Sequence, residues 1–369
     1  MLINELPNDC LLTIFDYMNN LDDLINCYKV CIKWSHLILK RTKKVKYFIE
    51  GYPQMDHCVY HEGEEPIDGT CLSTLFSNLK FAQICSLHKK VEYKDIAALV
   101  RNQESLEGLR ACKSFEHPDK PKIVSFDLFE PSMQHNGFSI KQLCSVYDLA
   151  SFQKCAHYFP NLERLHILCE SQYYDGPVLE KLKILELYLC SGDGLFIVHS
   201  FQVMDSCPNL QSAHITVNDR FFVDETIKLQ YLQDLVISTY NDCENSWNDF
   251  ERLLKKYPNL KHLALRKLWQ ITDEHIEQLV HILPNLVLLD VRNCYGVTQR
   301  AADYVQSHCK RYGRSIKFYF KPDQINQIQS DWPQLSTKFE RISRGFDFMK
   351  HCFLKDFLRL PHLLIPIDY

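Results

Sequence analysis

Histidine and cysteine are the residues of this chain best suited to chemistry, because thiolates attack electrophiles and both side chains bind metal ions. The chain of 369 residues contains 16 of each. The densest group is His57, Cys58 and His61, with Cys71 further along. Zinc sites favour paired ligands at short, regular spacing, which this group lacks, and Cys71 lies in an apolar stretch. We therefore expect no bound metal here and no cofactor in the chain.

A catalytic cysteine would need a lowered pKa and a histidine held beside it. Chance pairs are plentiful among so many cysteines and histidines, and the sequence singles out none. Cys27 and Cys31 stand one helical turn apart, a spacing that fits packing equally well. The glycine-containing stretch from Ser191 to Gly194 lacks the lysine of a phosphate-binding loop. We therefore expect a chain that is not an enzyme and has no catalytic residue.

Composition narrows the classes further. Hydrophobic residues make up 46% and charged residues 24%, and the net charge is 42 − 46 = −4, which argues against a nucleic-acid partner. No apolar run reaches the length of about 18 residues that a membrane span needs. The chain turns acidic by Glu5, unlike a secretory signal, so we expect reduced cysteines and a location in the cytosol, the nucleus or both. The basic run from Lys40 to Lys46 is interpreted as a solvated helix end.

Three short helices are predicted near the N-terminus. The first covers residues 6–18, where Pro7 suits the opening turn. Its apolar face is formed, at helical spacing, by Leu11, Ile14, Phe15 and Met18. A second helix is expected from Leu21, and a third around Trp34. A unit this small cannot bury so much apolar surface alone, so it either docks a partner or caps the following domain.

The order of the motifs in this segment decides between those alternatives. It runs from Leu6-Pro7 through Ile14-Phe15 and Leu21-Asp22-Asp23-Leu24 to Val30-Cys31-Ile32-Lys33-Trp34. This pattern resembles an F-box. The resemblance implies binding to the small adaptor that links receptors to the cullin and RING subunits of SCF ubiquitin ligases. By the same resemblance, the adaptor-binding residues are Leu6, Pro7, Ile14, Phe15, Leu24, Val30, Cys31 and Trp34.

A Pro-Asn-Leu triplet recurs downstream and opens a pattern of leucines at positions one, four and six. The triplets begin at Pro160, Pro208, Pro258 and Pro284. Two further copies without the triplet start at Leu182 and Leu232, and weaker ones start at Leu79 and Ile123. From Leu162 the starts are separated by 20, 28, 22, 28 and 26 residues. That period is typical of leucine-rich repeats, and it favours them over an ordinary α/β domain.

Each repeat is expected to supply a short parallel strand, a turn and a helix. Thr272 or Asp273 can cap one such helix, and the stretch from Asn293 to Thr298 begins a similar turn one repeat later. Cys190, Asn218 and Cys294 occupy the position where a side chain can bond the backbone as the chain leaves the strand. The pattern resembles the cysteine-containing repeats found behind F-boxes, although several copies are degenerate, so we expect an irregular solenoid.

In a solenoid, the strand residues between the leucines point out from the concave face. That face is expected to be exposed and to bind a protein target. The residues assigned to it are Arg164, His166, Glu186, Tyr188, His214, His262, Arg266, Asp290 and Arg292.

The predicted organisation is α/β: a three-helix F-box over residues 1–45, a leucine-rich-repeat solenoid over 46–320, and a C-terminal capping segment over 321–369. The solenoid has its strands inside, its helices outside, and a turn-rich loop near 51–70. Phe346, Met349, Phe353, Phe357 and Leu360 predict a helix that covers the last repeat.

These features together predict the substrate-recognition subunit of an SCF-type ubiquitin ligase. The F-box would hold the adaptor, and the repeats would hold an unidentified protein target. The alternative is a repeat scaffold that binds the adaptor without promoting ubiquitination.

Overall fold

The structure is a computed structural model. It describes residues 3–51, 55–62, 65–85, 87–111, 134–145, 149–169, 173–189, 200–217, 221–239 and 246–367. The chain divides into two compact units, residues 1–145 and 146–369. The boundaries expected at residues 45 and 320 stay a prediction.

The first unit joins three N-terminal helices to five parallel strands. The helices are α1 (Asn8–Asp16), α2 (Leu21–Tyr28) and α3 (Ile32–Thr42). They are followed by β1 (Tyr47–Glu50), β2 (Cys58–His61), α4 (Leu72–Leu75), β3 (Phe81–Gln83), α5 (Tyr93–Arg101), β4 (Gly108–Ala111) and β5 (Gln142–Ser145). The strand order is β2-β1-β3-β4-β5. The weak repeat at Leu79 is confirmed, since Leu79, Ala82 and Ile84 are buried around β3.

Several expectations for this unit need correction. The first helix is shorter than residues 6–18, because Pro7 lies before its first turn as the N-cap. The predicted loop near 51–70 contains β2, which pairs in parallel with β1. Cys85 is disulfide-bonded, so the expectation of reduced cysteines is wrong at that position. Eleven other cysteines among the described residues form no disulfide bond. The weak repeat at Ile123 lies outside the described residues.

The second unit carries seven parallel strands in consecutive order, each paired with the next repeat. The repeat elements are α6 (Leu149–Cys155), β6 (Arg164–Cys169), β7 (Ile184–Leu189), α7 (Ser200–Asp205), β8 (Ser212–Thr216), β9 (Asp234–Ser238), α8 (Trp247–Leu254), β10 (His262–Arg266), α9 (Asp273–Ile282), β11 (Leu288–Asp290), α10 (Gln299–Tyr312) and β12 (Lys317–Tyr319). The predicted fold class, an N-terminal helical segment followed by a parallel-strand solenoid, is confirmed.

The leucine pattern sets the core of this unit. Residues at positions four and six of each repeat, such as Leu165 and Ile167, are completely buried on one side of the strands. The predicted helix after Thr272 is confirmed, with Ile276 and Leu279 on its buried side. Cys294 also acts as expected, because its Sγ donates to the carbonyl of Leu265 at 3.2 Å. Cys190 and Asn218 lie outside the described residues.

The asparagine of the triplet has a role that the repeat pattern alone did not reveal. Asn209, Asn259 and Asn285 each donate from Nδ2 to a backbone carbonyl two residues before the first leucine of the preceding repeat. The donor–acceptor distances are 2.7, 2.8 and 3.0 Å. Each bond satisfies a carbonyl in a turn and ties neighbouring repeats together at the strand entrance.

The C-terminal segment differs most from expectation. The elements of this segment are α11 (Ile325–Asp331), β13 (Ile342–Arg344), α12 (Phe348–His351), a 3-10 turn at Phe357–Arg359 and β14 (Leu363–Ile365). The predicted long helix is wrong, because Phe346, Phe353 and Leu360 lie in turns between these elements. The segment also covers more than the last repeat. It packs across the strands on the side opposite the leucine core, where Phe353, Phe357 and Leu360 join Ile184, Val236, Ala264 and Leu288 in a second apolar cluster.

None of the helices in the described part of the chain combines the length and the apolar character needed to span a lipid bilayer.

Candidate protein-binding surfaces

The three N-terminal helices pack around a small core of their own. Leu11 and Phe15 of α1 are buried, and the ring of Phe15 meets Trp34 of α3 edge-on with centroids 5.1 Å apart. Leu24 of α2 is completely buried. Asn20 caps α2 by accepting bonds from the amides of Asp22 and Asp23, which satisfies two of its unpaired first-turn donors.

The same helices expose a second set of apolar side chains. Ile14 lies at the exposed edge of the apolar face of α1, and Tyr17, the C-cap residue of that helix, is 83% exposed. Val30 and Ile32 lie just before and at the start of α3, and Ile32 is 78% exposed. Large exposed aliphatic and aromatic residues concentrated on so small a helical unit are typical of surfaces that bind other proteins. We call Ile14, Tyr17, Val30 and Ile32 the N-terminal apolar set.

The residues predicted to bind the adaptor divide into two groups. Pro7, Ile14 and Val30 are exposed, and Leu6 and Cys31 are partly exposed, so these five are available to a partner. Phe15, Leu24 and Trp34 are buried and support the helices from within. Sequence reasoning missed Tyr17 and Ile32, although an apolar residue on the polar side of an amphipathic helix is a signal that could have found them.

The turn that carries Leu6 and Pro7 is fixed by one lysine of α3. Lys33 Nζ donates to the carbonyls of Asn4 and Leu6, each at 3.0 Å. Asn4 lies in a 3-10 turn, Ile3–Glu5, and Leu6 follows it, so both carbonyls precede α1 and would otherwise depend on water. The lysine therefore holds the Leu6-Pro7 turn next to the start of α3, where Val30 and Ile32 are exposed.

A buried arginine fastens the helices to the sheet of the first unit. The Arg41 guanidinium donates to the carbonyls of Phe15 and Cys58 and, at 2.7 Å, to Oδ1 of Asn19. Burial lowers the pKa of Arg41, and the nearby Asp16 carboxylate opposes that shift. The basic run at residues 40–46 is therefore not uniformly solvated as expected, because Arg41 is buried between α1 and β2.

Two further contacts fix the same orientation. Lys90, whose side chain is 1% exposed, contacts both carboxylate oxygens of Asp22 at 2.9–3.0 Å. The amide of Tyr60 in β2 donates to the carbonyl of Asn19 at 2.8 Å. Helices α1–α3 therefore form one rigid body with the first strands of their unit, and the N-terminal apolar set has a fixed orientation on it.

The region considered for metal binding has a different structural role. The pKa of the buried Cys58 thiol is raised by desolvation to about 12, and His61 Nε2 lies 3.1 Å from the carbonyl of Gln83. Desolvation is also the main cause that lowers the pKa of His61. Within the described ranges, no three His, Cys, Asp or Glu side chains are grouped so as to hold a metal ion.

The second surface is the side of β6–β12 that faces away from the leucine core, which we call the inner face. At its β6–β8 end, Arg164 Nη2 and His166 Nδ1 lie 2.7 and 2.8 Å from one oxygen of Glu186. Glu186 is completely buried, and burial alone would raise its pKa. The charge of Arg164 and the hydrogen bond from His166 outweigh burial and hold the pKa at about 2.

A second charged group lies towards β11 on the same face. Arg292 Nε donates to Asp290 Oδ1 at 2.8 Å, and Arg266 Nη2 lies 3.3 Å from Asp290 Oδ2. These two guanidinium groups lower the pKa of the Asp290 carboxyl despite its burial. His214 lies between the two groups; desolvation and the charge of Arg266 lower its pKa to about 4, so the ring is neutral at pH 7.

The expected exposure of the inner face is wrong. Seven of the nine residues predicted to contact a target are buried: Arg164, His166, Glu186, His214, Arg266, Asp290 and Arg292. Tyr188 and His262 are partly exposed. The reason is the C-terminal segment, whose apolar side chains and backbone lie directly on these side chains. The nine residues do lie on one side of the strands, as the repeat pattern predicted. The C-terminal segment of the same chain covers them.

The N-terminal segment belongs to a known class of module. Residues 3–42 match the family model described as F-box-like. Combined with the parallel-strand repeats, this match confirms the resemblance drawn from the motifs. The chain therefore joins an F-box-like segment to a unit of parallel-strand repeats. No curated protein sequence is significantly similar to the chain.

Solved structures with a related arrangement share little sequence with this chain. The Rad7 and Elc1 complex in yeast aligns at 11% identity and TM-score 0.34, covering 80% of this chain and 90% of that chain. The TLR13–ssRNA13 complex aligns at 13% identity and TM-score 0.46, covering 89% of this chain and 44% of that chain. An internalin of Listeria monocytogenes aligns at 14% identity and TM-score 0.39, covering 78% and 85%. At these scores the likenesses carry no conclusion about function.

Proposed function

We propose that this protein is the substrate-recognition subunit of an SCF-type ubiquitin ligase. The F-box-like segment would bind the ligase adaptor, and through it the cullin and RING subunits. A protein target would bind the repeat unit in the cytosol or the nucleus. The protein itself would perform no chemistry, since holding a target beside a ubiquitin-loaded enzyme raises its local concentration.

The observation that carries this proposal is the N-terminal apolar set. Ile14, Tyr17, Val30 and Ile32 are exposed although large apolar residues on a three-helix unit are normally buried. The Arg41 contacts hold this surface rigidly on the first strands. A receptor needs such rigidity, because a target presented at a fixed position meets the transferring enzyme more often.

Co-purification of the full chain with the adaptor tests the proposal. We expect the wild type to retain the adaptor, and Ile14→Asp with Ile32→Asp to lose it, because buried carboxylates in the interface would lack partners. Leu6→Ala with Pro7→Ala should weaken retention as well. Val178→Asp, which changes another exposed aliphatic residue in the second unit, is the matched control and should retain the adaptor. A wild-type chain that fails to hold adaptor at micromolar concentration contradicts the proposal.

The covered inner face favours the second candidate, a scaffold that binds the adaptor without promoting ubiquitination. A repeat unit whose concave side is already filled offers a target less surface. Purified adaptor, cullin, RING and ubiquitin-loading enzymes added to a cell extract distinguish the two. A receptor yields at least one protein whose ubiquitination depends on this chain, whereas a scaffold yields none.

A further inference from the structure

Side chains of the inner face hold the C-terminal segment by its main chain. Arg266 donates to the carbonyls of Phe353 and Lys355 at 2.6 and 3.0 Å, and Arg164 donates to those of Pro361 and His362 at 2.5 and 3.1 Å. Contacts to main-chain carbonyls do not depend on which side chains the held segment carries. These contacts can therefore hold a segment of another sequence whose main chain has the same shape.

One aromatic side chain anchors the segment between the contacts of Arg266 and those of Arg164. The Phe357 ring lies 4.5 Å from the His166 ring, 5.2 Å from Tyr188 and 5.9 Å from His214, measured between centroids. Leu360 is also buried three residues later, whereas Leu358 between them is 66% exposed. The segment therefore presents a buried aromatic residue and a buried leucine at the spacing that its single 3-10 turn imposes.

The fit between this segment and the inner face is incomplete. The buried nitrogen atoms that have no hydrogen-bond partner among the described residues include His214 Nδ1, Arg266 Nε and Lys355 Nζ. Desolvation lowers the pKa of the buried Lys355 ammonium group, and the charges of Cys352, Glu340 and Glu186 only partly offset this shift. Unsatisfied buried donors weaken an interaction, so a segment that satisfies His214 and Arg266 and has no lysine at the position of Lys355 would bind more tightly.

We propose that the inner face is a peptide-binding surface on which residues 353–362 act as an internal stand-in for a segment of the target. The fitting partner is a peptide segment that adopts the same 3-10 turn and carries an aromatic residue, a leucine three residues later and a proline after it, as in Phe357 to Pro361. This inference rests on the proposed receptor function and names its target site. An internal segment has a high effective concentration, so it excludes weak ligands and admits only those that bind the face better.

The test uses the full chain and a fluorescein-labelled peptide of residues 351–363. Phe357→Ala with Leu360→Ala in the chain removes both internal anchors, while Leu358→Ala at the exposed position between them is the matched control. We expect the peptide to bind the double variant at least tenfold more tightly than the wild type or the control. Phe357→Ala within the peptide should abolish binding, and so should Arg266→Met added to the double variant.

Three results would overturn the proposal. One is equal binding, or no binding, to a double variant that retains the cooperative unfolding of the wild type. Another is a concentration-dependent dimer of the double variant that blocks the peptide, which would assign the face to a second copy of the chain. The third comes from hydrogen exchange on the wild type, which needs no variant: amides of 353–362 should exchange at least tenfold faster than those of β7–β9. Equal protection would make the segment a permanent part of the core.

Peptide binding requires neither adaptor nor ubiquitin, so its failure is distinguishable from failure of the proposed receptor function. A chain that binds adaptor but not peptide would retain the first proposal and lose only this one.

Discussion

The guanidinium of Arg164 and the carboxylate of Glu186 lie 2.7 Å apart, and both side chains are almost completely buried. They belong to neighbouring strands, β6 and β7, on the face that the C-terminal segment covers. Because water cannot reach this pair, its charges depend for solvation on each other, on His166 and on the carbonyls of Pro361 and His362 in the C-terminal segment. The pair therefore links the stability of the repeat unit to the closure of the inner face.

Replacing Glu186 with Gln should strongly destabilise the second unit. The change leaves the Arg164 charge buried without its counter-ion, and breaking a buried pair in this way costs about 3–5 kcal/mol. Urea unfolding followed by tryptophan fluorescence measures the loss. Glu163→Gln is the matched control, since Glu163 pairs with Lys183 at 2.7 Å just before the same two strands but near the surface. We expect the control to lose no more than about 1 kcal/mol. Equal losses would contradict the burial argument.

Stability should fall as the pH drops from about 6.5 towards 4. His214 has a pKa of about 4 in the folded protein and an ordinary value of 6.5 when unfolded, so the unfolded chain binds more protons in this range. The contribution of the neutral His214 ring to the free energy of unfolding is fully present above pH 6.5. By pH 4 it has fallen by about 3 kcal/mol. Thermal unfolding midpoints across this range measure it.

His214→Gln is the variant that isolates this effect, because glutamine does not titrate and can still donate to the carbonyl of Lys355. Its unfolding midpoint should change less than that of the wild type between pH 6.5 and 4. Loss of stability at still lower pH, from about 4.5 to 2, should persist in both chains, since it comes from protonation of Glu186. A variant as pH-sensitive as the wild type above pH 4.5 would rule out His214 as the source.

Arg41→Met should loosen the attachment of the N-terminal helices to their sheet. It leaves the buried carbonyls of Phe15 and Cys58 without this donor, at a cost of about 1–3 kcal/mol for each group left unsatisfied. Hydrogen exchange at the amide of Tyr60, which donates to Asn19, reports the loosening directly. Lys44→Met removes only the exposed ion pair with Asp16 and should leave that amide protected. If the Tyr60 amide stays equally protected in Arg41→Met, the contact between Lys90 and Asp22 is enough to hold the helices on the sheet.

Asn259→Ala should destabilise the second unit by about 1 kcal/mol, because it removes the bond that links one repeat entrance to the carbonyl of Gln230. The exposed Asn248 on α8 offers a control substitution to alanine outside the triplet pattern, with an expected loss below about 0.5 kcal/mol. Chemical denaturation of both variants measures the difference. If Asn259→Ala loses no more stability than Asn248→Ala, only the proline and the leucine of the triplet contribute to the stability of the repeat.

The sequence by itself determined the periodic features of this protein. Leu165 and Ile167 and their equivalents recur at a fixed spacing because every repeat must bury the same positions against its neighbours, so the solenoid could be read without coordinates. The ordered motifs from Leu6 to Trp34 likewise identified the N-terminal module. Local signals also placed the helix after Thr272, since capping and amphipathic spacing act within a few residues.

Only the tertiary structure decided what covers these elements. The inner-face residues alternate with the leucines as expected, yet Arg164 meets a carbonyl 197 residues further along the chain, and no local pattern encodes that contact. The stripe from Phe346 to Leu360 has helical spacing, but the chain breaks it into turns because burial against Ile184, Val236 and Ala264 is worth more than a regular helix. Long-range burial therefore outweighed local helix propensity, and the C-terminal segment covers the inner face that the sequence predicted to be exposed.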